Sequence, residues 1–150
     1  MKKKLIAAAS VAVLAAGSAA QAFEVYTDYT LSKEVWNVTM VKVNPNRIDD
    51  YLEGLKQTWQ SGCDIGKKMG TVLDCYIYVS ETAANRDFNT LLVMKFPSGA
   101  SSDPNEAQFK QFQAEMRKQL EEQKQDALVQ GYEEFRTFFG EQSFRRIEFK

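Results

Sequence analysis

The spacing of apolar residues changes period repeatedly along this chain, and the order of those changes restricts its fold more than any other feature. Val35 to Val43 reads Val-Trp-Asn-Val-Thr-Met-Val-Lys-Val, rich in β-branched and aromatic side chains and closed by Asn44-Pro45-Asn46, which predicts a strand ending in a turn. Ile48, Tyr51, Leu52, Leu55, Trp59 and Cys63 then recur at three- and four-residue steps, the spacing of one helix face. Asn46 is the expected N-cap, Asp49 and Asp50 suit the positive end of the helix dipole, and Lys67, Lys68 and Gly70 mark the helix end. Strands are expected over Thr71 to Ser80 and Phe88 to Phe96, joined through the polar stretch Glu81 to Asp87. The turn-forming run Pro97 to Pro104 precedes a long helix from Asn105 to about Gln130, broken at Gly131. A further helical turn or two over Tyr132 to Phe139 and a final strand over Ser143 to Phe149 complete the order.

Strand, helix, strand, strand, helix, strand is the order of an α+β, ferredoxin-like βαββαβ domain, with an antiparallel sheet and both helices on one face. The domain is expected over residues 34–150, preceded by an N-terminal arm over residues 23–33 that shows no sustained period. Alternation sets Trp36, Val38 and Met40 against Asn37, Thr39 and Val41, and Leu73, Cys75, Ile77 and Val79 against Asp74, Tyr76 and Tyr78. The sheet face turned away from the helices is expected to combine Asn37, Thr39, Tyr76, Tyr78, Leu92 and Met94. Such a face is too apolar to be left in water, and a second copy of the sheet is the economical cover, which predicts a homodimer.

Residues 1–22 read as a cleavable signal peptide. Lys2, Lys3 and Lys4 precede an apolar run from Leu5 to Ala16, and small residues end at Ala20-Gln21-Ala22. That run is shorter than the ~20 apolar residues needed to span a bilayer, so cleavage before Phe23 is favoured over a retained anchor, and no stable membrane insertion is expected afterwards. The expected location is periplasmic or secreted. Loss of residues 1–22 removes three of the 19 basic side chains and none of the 20 acidic ones, leaving a net charge of −4. A mildly acidic chain without a concentrated basic face is a poor partner for phosphate backbones, so nucleic acid is not an expected partner. The remaining 128 of the 150 residues suffice for one domain with its own core.

Two cysteines, Cys63 and Cys75, fall in the mature chain. Either they close a disulfide, which an oxidising compartment would preserve, or they remain two buried thiols packing as small hydrophobes. Their separation is not that of a C-x-x-C redox or zinc motif. The chain has no histidine, which excludes histidine-ligated metals, Ser-His and Cys-His nucleophiles and histidine-ligated haem. Gly62, Gly66 and Gly70 with Lys67 and Lys68 do not meet the P-loop spacing and read as close packing and a helix stop. The acidic pairs Asp49-Asp50, Glu121-Glu122 and Glu133-Glu134 are neighbours in sequence, which on a helix do not face each other, so they are poor acid/base couples. No metal or cofactor site is expected.

The strand with Trp36, the helix from Ile48 to Lys68 with Trp59, the stretch Gly70-Thr71-Val72-Leu73-Asp74-Cys75-Tyr76 and the closing Phe144-Arg145-Arg146-Ile147-Glu148-Phe149 give the chain its resemblance to the dimeric α/β barrel superfamily. Over residues 34–150 it resembles small uncharacterised members near the NIPSNAP and EthD groups. The resemblance implies two ferredoxin-like subunits packed sheet to sheet. The superfamily includes cofactor-free monooxygenases, haem-dependent chlorite dismutase-like enzymes and muconolactone isomerase-like enzymes, so the fold alone does not choose an activity.

The candidate pocket comprises Asn37, Thr39, Trp59, Tyr76, Tyr78 and Arg146. A small-molecule site is concave and mostly apolar, with a few polar groups fixing orientation. The competing reading has the tyrosines and Thr39 filling the dimer interface and Trp59 in the core. The functional expectation is an exported protein binding a small molecule without a cofactor of its own. The alternatives are a cofactor-free monooxygenase- or isomerase-type enzyme, and a structural or interaction domain whose cavity its own side chains fill.

Overall fold

The structure, a computed structural model, describes residues 22–81 and 87–150. The expected signal peptide, apart from Ala22, lies outside the described residues, as does most of the connection expected over Glu81 to Asp87. The strands are Tyr29–Leu31 (β1), Val35–Val43 (β2), Asp74–Val79 (β3), Thr90–Phe96 (β4), Arg136–Phe144 (β5) and Ile147–Phe149 (β6). The helices are Ile48–Gln57 (α1), Trp59–Lys68 (α2), Glu106–Gln119 (α3) and Glu122–Glu133 (α4). β2 to β5 form one sheet in the order β3-β4-β2-β5 with every neighbour antiparallel, the ferredoxin-like arrangement. The expected α+β class and topology are therefore those of the molecule.

The core lies between this sheet and the helices. Val41 and Val43 of β2, Leu92 of β4, Tyr51 and Leu55 of α1 and Tyr132 of α4 form one buried cluster. Tyr51 meets Tyr132 edge to face at 5.4 Å between ring centres. A disulfide joins Cys63 of α2 to Cys75 of β3, with 6.4 Å between their Cα atoms, which decides between the two readings of the cysteines.

Several boundaries differ from those read in the sequence. The helix expected without interruption from Ile48 to Lys68 is kinked at Thr58, whose φ and ψ are −105° and −74° and whose hydroxyl donates to the Gly54 carbonyl at 3.0 Å, a back-bond that bends helices. Asn46 is not the N-cap: it sits inside a 3₁₀ turn, Pro45–Arg47, and its amide donates to the Asn44 side chain at 3.1 Å. β3 starts only at Asp74, because Gly70 takes a φ of +71° and the Thr71 and Val72 amides close back on the Gly66 carbonyl. The helix expected from Asn105 to about Gln130 breaks at Leu120, extended at φ −146° and ψ 125°, and Gly131 lies inside α4 instead of ending a helix.

The largest correction concerns residues 132–149. Where helical turns were expected up to Phe139, Arg136–Phe144 is a strand along the free edge of β2, and the final strand is only Ile147–Phe149. The register shifts between Met40 and Val41, leaving an extra residue on β5 beside Gly140, whose φ is +147°. This bulge breaks the two-residue period that would otherwise mark the strand. The arm over residues 23–33 also contains structure: β1 pairs with β6, Tyr29 opposite Phe149, in a separate two-stranded ribbon.

Candidate functional site

Register decides which side chains share a face. Asn37 pairs with Met94 and Ser143, Thr39 with Leu92 and Glu141, and Val41 with Thr90 and Phe138, so these residues point toward the helices together with Cys75 and Ile77. Trp36, Val38 and Met40, with Leu91, Val93, Tyr76 and Tyr78, occupy the opposite face. The sequence-based grouping of Asn37, Thr39, Leu92 and Met94 with the two tyrosines is thereby corrected. Alternation within each strand was read correctly, but nothing in it tells which set of one strand matches which set of the next.

On the helix side the sheet and helices enclose a cleft of about 510 Å³. Its floor is Thr39, Leu92 and Met94, with Phe138 and Arg136 from β5. Thr58, Trp59 and Gly62 form one wall, Phe112 and Met116 of α3 with Val129 and Tyr132 of α4 the other. Glycine matters at two places in these walls. A Cβ on Gly54 would lie 2.1 Å from the Tyr132 hydroxyl, so Tyr132 seats in a notch of α1, and one on Gly62 would lie 3.3 Å from the Phe112 ring.

Isolated polar groups punctuate this apolar lining. The Thr58 hydroxyl, having donated to Gly54, accepts from the Tyr132 hydroxyl at 3.3 Å. At one end Asn37 donates to Glu141 at 3.2 Å and accepts from the Ser143 hydroxyl at 2.7 Å. At the other end the Arg136 guanidinium lies 4.4 Å from the Phe138 ring centre, 5.1 Å from Tyr132 and 5.9 Å from Tyr51. Burial pushes the Tyr51 hydroxyl above its ordinary pKa, against the opposing pull of the Arg136 charge.

The structure brings Thr39 and Trp59 into this cleft and sets Asn37 at its Glu141 end. Tyr76 and Tyr78 lie on the other sheet face, both exposed, with ring centres 6.2 Å apart. There Tyr76 donates to Asp74 at 2.6 Å and Lys67 pairs with the same carboxylate at 2.6 Å. The Lys67 contact foremost, then those from Tyr76 and the Cys75 amide, hold the Asp74 carboxyl well below the usual carboxylate range, and in return Asp74 raises Tyr76. Arg146 lies apart from both, between β5 and β6, paired with Glu148. Arg136, Glu141, Tyr132 and Thr58 were not among the expected site residues. The first two belong to the strand whose bulge hides its period; the kink at Thr58 gives no sequence signal stronger than a β-branched residue in a helix.

Among the described residues no group of three or more Cys, Asp or Glu side chains is placed to hold a metal ion, and no helix is long and apolar enough to cross a membrane. No protein-family profile matches the chain, and no curated protein does. Solved structures that it resembles include protein SO0527 from Shewanella oneidensis, at 15% identity over 80% of this chain and 98% of that one, with a TM-score of 0.47. HapK from Hahella chejuensis matches at 14% identity over 75% and 91%, TM-score 0.46. A dimeric ferredoxin-like protein from an uncultured marine organism matches at 13% over 78% and 88%, TM-score 0.43. The fold of this chain, on its own sheet order, is ferredoxin-like.

Proposed function

We propose that the mature chain is an exported homodimer that takes up a small, largely apolar molecule in the cleft between its sheet and helices. The observation that carries this reading is the cleft itself: about 510 Å³, a size typical of ligand sites, apolar along its length and polar at isolated points. Other clefts on the domain reach a similar 440–550 Å³, and what sets this one apart is its apolar lining from Trp59, Met94, Phe112 and Met116. Thr39 and Trp59 are its proposed contacts, with Asn37 orienting Glu141. Tyr76 and Tyr78 belong instead to the face on which the second copy packs, around Val38 and Met40. Export rests on the signal-like residues 1–22, and the Cys63–Cys75 bond suits an oxidising compartment.

The test is native mass spectrometry of the mature protein made with its own residues 1–22. The expected species is a dimer cleaved before Phe23 that takes up one N-phenyl-1-naphthylamine per chain. Val129→Trp, which fills the cleft from α4, abolishes uptake while preserving the dimer. Val38→Glu, which places a charge at the centre of the opposite face, gives monomers. A wild-type monomer would overturn the dimer, and uptake unaffected by Val129→Trp would overturn the cleft.

A second reading is turnover by the cleft's own groups, in the manner of a cofactor-free monooxygenase or isomerase. The observation favouring it is Glu141, a carboxylate lining the cleft and held by Asn37. Loss of turnover in Glu141→Gln with unchanged folding would support it; the same loss in Tyr76→Phe would not, since Tyr76 is on the other face.

A further inference from the structure

The two ends of the cleft carry opposite charges. Arg136 pairs with Val43 of β2 and Glu141 with Thr39, four residues back along the same strand, so their backbones stand about 13 Å apart at ~3.3 Å per residue. Glu141 is engaged by Asn37. Arg136 is not engaged in the same way. Its Nε–H is buried and has no acceptor among the described residues, and no carboxylate among them lies within ion-pair distance of its guanidinium. What surrounds it instead is aromatic: Phe138, Tyr132 and Tyr51. Ring faces answer part of the positive charge, and the neighbouring Tyr51 hydroxyl, itself buried without a settled partner, is a neutral oxygen; neither supplies the negative charge that the guanidinium lacks. A guanidinium with its fork of donors held at one end of an apolar cleft fits a planar or tetrahedral oxyanion better than any neutral group.

We infer that the ligand is an amphipathic organic anion, seated with its acidic group on Arg136 and its apolar body between Trp59, Met94 and Phe112. This rests on the proposed role of the cleft as a ligand site and adds to it a polarity. Glu141 repels an acid at its own end, so the orientation is fixed by both charges. Arg136 is the specificity-determining residue, and acids are taken in preference to neutral molecules of the same shape.

The probes are 8-anilino-1-naphthalenesulfonate and N-phenyl-1-naphthylamine, which share an aromatic body and differ by the sulfonate. Titrated by fluorescence into the mature, disulfide-bonded protein, the sulfonate is expected to bind at least ~10-fold more tightly, the worth of one charge-assisted hydrogen bond. Arg136→Met removes that preference, bringing the affinities of the two probes together; Arg136→Lys keeps part of it. Circular dichroism checks that the variants are folded, and the wild-type preference stands as the test even if the Met variant is not. Equal affinities of the two probes for the wild type overturn the anion while leaving the cleft reading intact. Failure of both to bind, or binding untouched by Val129→Trp, overturns the cleft reading itself.

Discussion

Replacing Gly54 by alanine separates tertiary packing from helix propensity, because the two predict opposite signs. In an exposed helix interior Gly→Ala stabilises by ~1 kcal/mol. Gly54, however, is buried in α1, and a Cβ there would fall 2.1 Å from the Tyr132 hydroxyl and 2.2 Å from its Cε1. Tyr132 has little room to retreat: it is only 4% exposed, with Tyr51 at 5.4 Å, Phe135 at 6.3 Å and the Arg136 guanidinium at 5.1 Å. Overpacking of this kind costs ~1–3 kcal/mol, and drawing the Tyr132 hydroxyl off Thr58 adds ~0.5–1.5 kcal/mol. After the propensity gain, Gly54→Ala should destabilise by ~1–3 kcal/mol in urea unfolding followed by circular dichroism. Tyr132→Leu in the same background should recover part of the Gly54→Ala penalty relative to Tyr132→Leu alone, a coupling that a double-mutant cycle measures. A Gly54→Ala variant more stable than the wild type would refute the notch between α1 and α4.

At Gly140 space is not the constraint, since the nearest side-chain atom to an added Cβ is Met40 Cε at 3.9 Å; its φ of +147° is. Gly140→Ala should therefore lose ~1–3 kcal/mol by the same unfolding assay through backbone strain alone. Reduction of Cys63–Cys75, or their double replacement by alanine, should lower stability by ~2–3 kcal/mol, the entropy of a loop with a sequence separation of 12, read as a lower urea midpoint with and without reductant. Asp74, held well below the usual carboxylate range, contributes stability that is present above pH ~4 and is lost only as the pH falls through its depressed value. Its carboxyl carbon should thus titrate after other carboxylates by NMR, and Lys67→Ala should bring it back toward them. Correspondingly, the Tyr76 phenol should ionise above the ordinary tyrosine value in an alkaline ultraviolet titration, and Asp74→Asn should lower it.

The central strand, the presence of both helical regions and the sheet topology are legible from apolar spacing, the run Val35–Val43 to the residue, whereas the interruptions at Thr58 and Leu120 are not. Asp49 and Asp50 do sit in the first turn of α1. What was lost was local geometry dictated from a distance. Arg136–Phe144 is a strand because β2 offers it a free edge, and its bulge at Gly140 erases the alternation that sequence reading depends on. The tyrosines of β3 and the polar residues of β2 were placed on one face because alternation fixes faces only within a strand. Once the register is known, Thr39 and Trp59 remain near one another, whereas Arg136 and Glu141 come forward as the charged ends of the cleft.

The Cys63–Cys75 bond also decides how the cleft can change its width. It fastens α2, the wall bearing Trp59 and Gly62, to β3, so that wall is a fixed jaw on the sheet. The facing wall has no such fastening: α3 and α4 meet at the extended Leu120, and Phe112 and Val129 lie on either side of that joint. Any widening of the cleft would therefore fall to the α3–α4 side, where Leu120 at the joint is only 8% exposed. A reducing environment would cut the covalent tie between that wall and the sheet, leaving both walls held by packing alone.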